Sequence, residues 1–143
     1  MDSVLSLMPE SCEDWYDAIL SAQPDGVGLE EKDRGKFNHA FESFSTGSYD
    51  EAYDGFVELA KSGSSISQYY LGLMYLSGMG VLQDFRQAHM WLNIASSRGH
   101  KKARKQLEKL TQIMTADLLA QAQKLARQRV AKIYKNSESS TVD

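Results

Sequence analysis

Few side chains in this 143-residue sequence have the chemistry of a catalyst or a metal ligand, and their spacing limits what they can do. The histidines are His39, His89 and His100, and Cys12 is the single cysteine. Metal ligands on a helix recur at three- or four-residue steps so that they share a face. Only His39, followed by Glu42, meets that spacing, so no metal is assigned and the histidines read as surface residues near carboxylates. One cysteine makes neither an internal disulfide nor a thiolate cage. No serine or cysteine sits in the Gly-flanked elbow that exposes a nucleophile. Gly78-Met79-Gly80 lacks the following glycine and lysine of a phosphate loop, which leaves it a turn. The carboxylates Asp50, Glu51, Asp54 and Glu58 spread over a solvent face in the first turns of a helix, where negative charge suits the dipole. The expectation is a chain that is not an enzyme and uses no cofactor.

The elements that would carry these groups are helices. Apolar residues recur at three-to-four spacing, prolines number two, and the period-two alternation of strands is missing. A chain of this length builds one domain with a modest core. The first ten residues contain no Lys or Arg, and no stretch reaches the roughly 20 apolar residues a bilayer requires. A soluble, unexported protein in the reducing cytoplasm is expected. The net charge of −3 hides an asymmetry. Residues 1–97 hold 5 basic and 15 acidic side chains, whereas residues 98–135 hold 11 basic and 2 acidic ones.

The sequence repeats itself. Ala52-x3-Phe56-x2-Leu59-Ala60-x2-Gly63 matches Ala88-x3-Leu92-x2-Ala95-Ser96-x2-Gly99 at an offset of 36 residues, and Ala40-x3-Phe44-x2-Gly47 matches Leu71-x3-Tyr75-x2-Gly78 at 31. A third, partial copy begins after Gly99, where Ala103-x3-Leu107-x3-Thr111 takes the places of Ser67-x3-Leu71-x3-Tyr75. Each unit reads as a helical hairpin, with Ala52, Ala88, Ala95 and Gly72 allowing close approach and Phe56, Leu71, Tyr75, Trp91 and Leu92 filling the gaps. Gly63 and Gly99 suit helix C-caps. Between the second pair of helices, Gly78 to Asp84 supplies two flexible positions, an apolar anchor and an N-capping Asp.

The run Leu71-Gly72-x2-Tyr75-x2-Gly78-x-Gly80-Val81-x2-Asp84-x3-Ala88-x2-Trp91-x3-Ala95-x3-Gly99 resembles a Sel1-like repeat, a relative of the tetratricopeptide repeat. The first copy, around Gly47-Ser48-Tyr49-Asp50-Glu51-Ala52, is more similar to a tetratricopeptide unit. The resemblance implies an all-α fold, an α-α superhelix of stacked hairpins, and a bacterial source. It also implies a concave binding surface on the first helix of each pair. Mapped onto this chain, that surface comprises Asn38, Glu42 and Ser45, then Tyr69, Leu73 and Leu76, then Lys105, Lys109 and Gln112.

The organisation expected is an N-terminal segment over 1–35 with a short helix at Cys12 to Gln23, a repeat array over 36–113, a basic amphipathic capping helix over 114–136 and a disordered tail over 137–143. The N-terminal helix, presenting Trp15, Tyr16, Ile19 and Leu20, either caps the array or covers the concave row. The capping helix starts at Thr115 and carries Leu118, Leu119, Ala122, Leu125, Ala126, Val130 and Ile133 in one stripe. The function expected is protein–protein interaction as an adaptor or scaffold, with a partner peptide or helix on the concave face. The alternative is binding of nucleic acid or an acidic partner through 98–135, whose basic face comprises Lys101, Lys102, Lys124, Arg127, Arg129 and Lys132. Nucleic acid is the less favoured of these, because the basic helices lack interleaved aromatics. Weak head-to-tail association of the acidic and basic ends is a further expectation. No membrane contact is expected.

Overall fold

The computed structural model describes residues 31–141, and the helix expected at 12–23 lies outside them. The described residues form helices α1 (Glu31–Ser45), α2 (Tyr49–Lys61), α3 (Ser65–Ser77), α4 (Phe85–Ser97), α5 (Lys101–Ile113) and α6 (Ala116–Thr141), with no strand among them. Helix α1 starts at Glu31, earlier than the boundary expected at 36. The C-terminal helix runs to Thr141, so residues 137–141 are helical where a tail was expected.

Local chemistry sets the ends of these helices. The Asp84 side chain accepts from the Arg86 and Gln87 backbone N–H groups and so caps α4. Ser64 does the same for α3 through Ser67 N–H, and Thr115 Oγ1 accepts from Leu118 N–H at 3.2 Å at the start of α6. Helix α3 stops at Gly78, which takes the left-handed conformation at φ 74° and donates its N–H to the Met74 carbonyl. That conformation is strained for any residue with a Cβ. Gly80 has a second constraint besides its φ of 73°, because a Cβ there would lie 2.8 Å from the Tyr49 carbonyl oxygen.

Adjacent helices pack as antiparallel hairpins. Phe37 of α1, Phe56 of α2 and Tyr70 of α3 form an aromatic cluster with ring centroids 5.6–6.1 Å apart. Tyr53 and Tyr75 share a hydroxyl–hydroxyl hydrogen bond of 2.8 Å between α2 and α3. Gly72 lets α3 close onto Leu92 and Ala88 of α4. The alanines at the matching repeat positions, Ala52 and Ala88, are both fully buried. Arg98, just past α4, donates to the Gly63 carbonyl at 2.9 Å and ties the end of one hairpin to the end of the previous one.

Helix α3 is the centre of the molecule, with eleven of its thirteen residues buried. Helix α4 is nearly as enclosed, because it meets α3, α5 and α6. The last helix lies along α4, with Arg86 donating to Gln121 at 3.0 Å near its start and Arg129 over Trp91 further on. It therefore runs parallel to α4. Ala122, Ala126 and Ile133 of its apolar stripe are buried, and Leu118, Leu119, Leu125 and Val130 are half-buried.

Candidate functional site

The concave series expected from the sequence divides in three. Asn38, Glu42 and Ser45 on α1 are exposed, as are Lys105, Lys109 and Gln112 on α5. The apolar row between them is not open: Tyr69, Leu73 and Leu76 are 4%, 2% and 1% exposed. Tyr69 stacks on His100 with ring centroids 4.6 Å apart and meets the Tyr70 ring at 5.1 Å. Removing such side chains from water is worth about 2 kcal/mol each, which is the physical reason they are inside. Burial also pushes the Tyr69 phenol up to about 12, so it remains protonated near neutrality.

The basic face is spread over two helices. Lys101, Lys124, Arg127 and Lys132 are exposed, and Lys102 is half-buried. Arg129 is half-buried and already engaged, its guanidinium carbon 5.4 Å from the centre of the Trp91 ring. The one acidic residue of α5, Glu108, meets Arg104 at 3.5 Å, which leaves the helix strongly cationic.

The histidines differ from the surface reading. His39 is exposed, but His89 is 3% exposed, with Nε2 against Thr111 Oγ1 at 3.2 Å. His100 caps α5, because its Nδ1 accepts from the Ala103 N–H at 3.1 Å. A protonated ring nitrogen cannot accept, and a cation at this helix end opposes the dipole. Burial lowers the pKa of both His89 and His100, and Lys102 adds to the shift at His100. A folded-state value below the unfolded one, about 6.5, means that stability is complete above pH 6.5 and falls as pH drops below it. Thermal melts should therefore be flat above about pH 7 and decline between about pH 6.5 and 5. His100→Asn, which caps without titrating, should remove part of that decline; an unchanged slope would place it elsewhere.

A cleft that the sequence reading did not foresee lies between α4 and α6, with a volume of about 550 Å³. Ile94, Ala126, Val130 and Ala131 provide its apolar surface, and Asn93, Ser97, Gln123 and Arg127 its polar positions. Ala126 and Val130 were visible as part of the apolar stripe of α6. What was not visible is that this helix lies beside α4. Among the described residues, no three His, Cys, Asp or Glu side chains converge on a point that could hold a metal, and no helix is long and apolar enough to cross a membrane.

Comparison with known proteins fits this geometry. The family model for the Sel1 repeat matches residues 65–100, which are α3, the loop Gly78–Asp84, α4 and the turn to His100. Residues 65–100 are thus similar to a Sel1 repeat. The second helix of this stretch supplies Asn93, Ile94 and Ser97 to the cleft. Among solved structures, a protective antigen present in uropathogenic Escherichia coli strains and displaying an SLR fold superposes with a TM-score of 0.65 at 24% identity. The match covers 78% of this chain and 25% of the antigen, so this chain spans about a quarter of that protein's length. No curated protein matches the sequence. Sel1-like repeats are generally helical scaffolds that mediate binding to other proteins, and they are not typically enzymes.

Proposed function

We propose that the chain is an adaptor or scaffold that holds a segment of a partner protein in the cleft between α4 and α6. The observation that carries this reading is the cleft itself, with its apolar surface and Arg127 on its wall. Lys124, three residues before Arg127, lies on the same side of α6. The occupant that fits is an amphipathic segment with acidic residues next to its apolar ones. Packed helices on both sides fix the cleft before binding, which reduces the ordering cost of association. Work in the reducing cytoplasm is compatible with a lone cysteine. Nucleic acid is a poorer occupant, since among the described side chains no aromatic ring is exposed for bases to stack on.

Full-length protein immobilised for capture tests the proposal against Arg127→Glu and Ala131→Trp. Ala131 is exposed in the cleft, so a tryptophan there fills the space without entering the core. Leu82→Ser, at an exposed position away from the cleft, serves as the control. A protein taken up by the wild type and the control should be lost with both cleft variants, and its affinity should fall at least about tenfold, or ~1.4 kcal/mol. Equal yields from all four proteins would mean that the cleft is not the binding surface.

A further inference from the structure

The two walls of the α4–α6 cleft carry polar groups that the fold itself does not use. Asn93 and Ser97 stand four residues apart on α4, and Gln123 and Arg127 four apart on α6, so each pair forms a row along its helix. Ser97, Gln123, Arg127 and Ala131 are exposed and Asn93 is half-buried, so both walls are open to solvent. The Ser97 hydroxyl donates to the Ile94 carbonyl at 2.7 Å and keeps lone pairs for an incoming N–H. The side chains of Asn93, Gln123 and Arg127 have no hydrogen-bond or ion-pair partner among the described residues. Ile94 and Ala126, which are buried, form the floor together with the half-buried Val130.

The spacing of these groups selects the shape of the occupant. Positions four apart on a helix are about 6 Å apart along its axis, and backbone groups on one side of an extended chain recur every ~6.7 Å. An extended segment lying along the floor therefore meets each wall with N–H and C=O groups in step with the polar rows. A helical segment offers the walls no such groups, because its backbone bonds are made internally. Charge selects the side chains. Helix α4 contains no acidic residue, and α6 contains none from Leu118 to Lys135. Over that stretch α6 exposes Lys124, Arg127 and Lys132. Side chains of an extended chain alternate, so one set faces the floor and the other faces outward, within reach of these cations.

We propose, on the reading that the cleft is the binding surface, that its occupant is an extended segment in which apolar and acidic residues alternate. The apolar side chains rest on Ile94, Ala126 and Val130, the backbone is held by Asn93, Ser97 and Gln123, and the carboxylates meet Arg127 and Lys124.

Fluorescence anisotropy with full-length protein and two labelled synthetic peptides provides the test. One peptide alternates leucine and glutamate. The other has the same composition with leucine at three- and four-residue steps, the pattern of an amphipathic helix. The alternating peptide should bind at least about tenfold more tightly, more weakly as salt rises, and not at all to Ala131→Trp. Asn93→Leu with Gln123→Met, which keeps side-chain size and removes the hydrogen bonds, should weaken it about tenfold, and Leu82→Ser should leave it unchanged. Preference for the helical pattern, or full affinity in the Asn93 and Gln123 double variant, would overturn the extended form; if Ala131→Trp still abolished that binding, the cleft would stand as the surface. Binding that Ala131→Trp leaves intact would overturn both readings. Binding of neither peptide would overturn the occupant proposed here, with the capture experiment deciding separately on the cleft.

Discussion

Phe56→Ala should lower stability by about 4 kcal/mol and the melting temperature by roughly 10 °C, while leaving the helices of the folded fraction unchanged. Phe56 is fully buried, and its ring lies 5.8 Å from Phe37 and 5.6 Å from Tyr70. The three rings come from three different helices, so no single helix can move in to fill the gap without leaving another neighbour. A truncation at this junction therefore keeps most of its cavity. Total stability of a domain this size is about 5–15 kcal/mol, which makes the loss a large fraction of the whole. Urea denaturation followed by circular dichroism measures it, and a loss below about 1 kcal/mol would show that the cluster is free to collapse.

Gly72→Leu should cost a further class of energy, overlap instead of void, of about 3 kcal/mol. Even a bare Cβ at this position would stand 2.9 Å from Leu92 Cγ and 3.3 Å from the Ala88 carbonyl oxygen. Helix propensity favours leucine over glycine by roughly 1 kcal/mol, which the overlap exceeds. Because the neighbour is mainly one side chain, the double variant Gly72→Leu with Leu92→Ala should be more stable than the sum of the single changes predicts. A coupling of at least about 1 kcal/mol is expected, and strict additivity would mean that α4 shifts as a body instead.

Much of this arrangement can be read from residue spacing, and the unread parts have identifiable physical causes. The 36-residue offset places Ala52 over Ala88 and Phe56 over Leu92, and all four are fully buried. Turn chemistry was equally legible at Gly78, in the left-handed region, and at Asp84, which caps α4. Those features depend on a few neighbouring residues. The candidate site depends on which helix faces meet, and there the reading failed in two places. Tyr69, Leu73 and Leu76 occupy positions that a repeat leaves open, yet here they are inside. His100 looked like a surface imidazole because a ring nitrogen is an uncommon cap, and only its 3.1 Å contact with the Ala103 N–H identifies the role. The alignment of α6 with α4 was hidden for a similar reason, since the apolar stripe of an amphipathic helix states that something is covered without stating what.

That alignment also bears on how the molecule assembles. Principal contacts among the described helices run from each one to the next as far as α5, and the single longer step, α4 to α6, passes over α5 alone. Pairing of such near neighbours closes only short loops, the condition for rapid folding. Under this order the cleft cannot exist until α6 has docked, and it is lost whenever α6 detaches, even while the hairpins before it stay folded. A ligand in the cleft would therefore hold α6 against α4, slow its detachment and shift that local equilibrium toward the packed form.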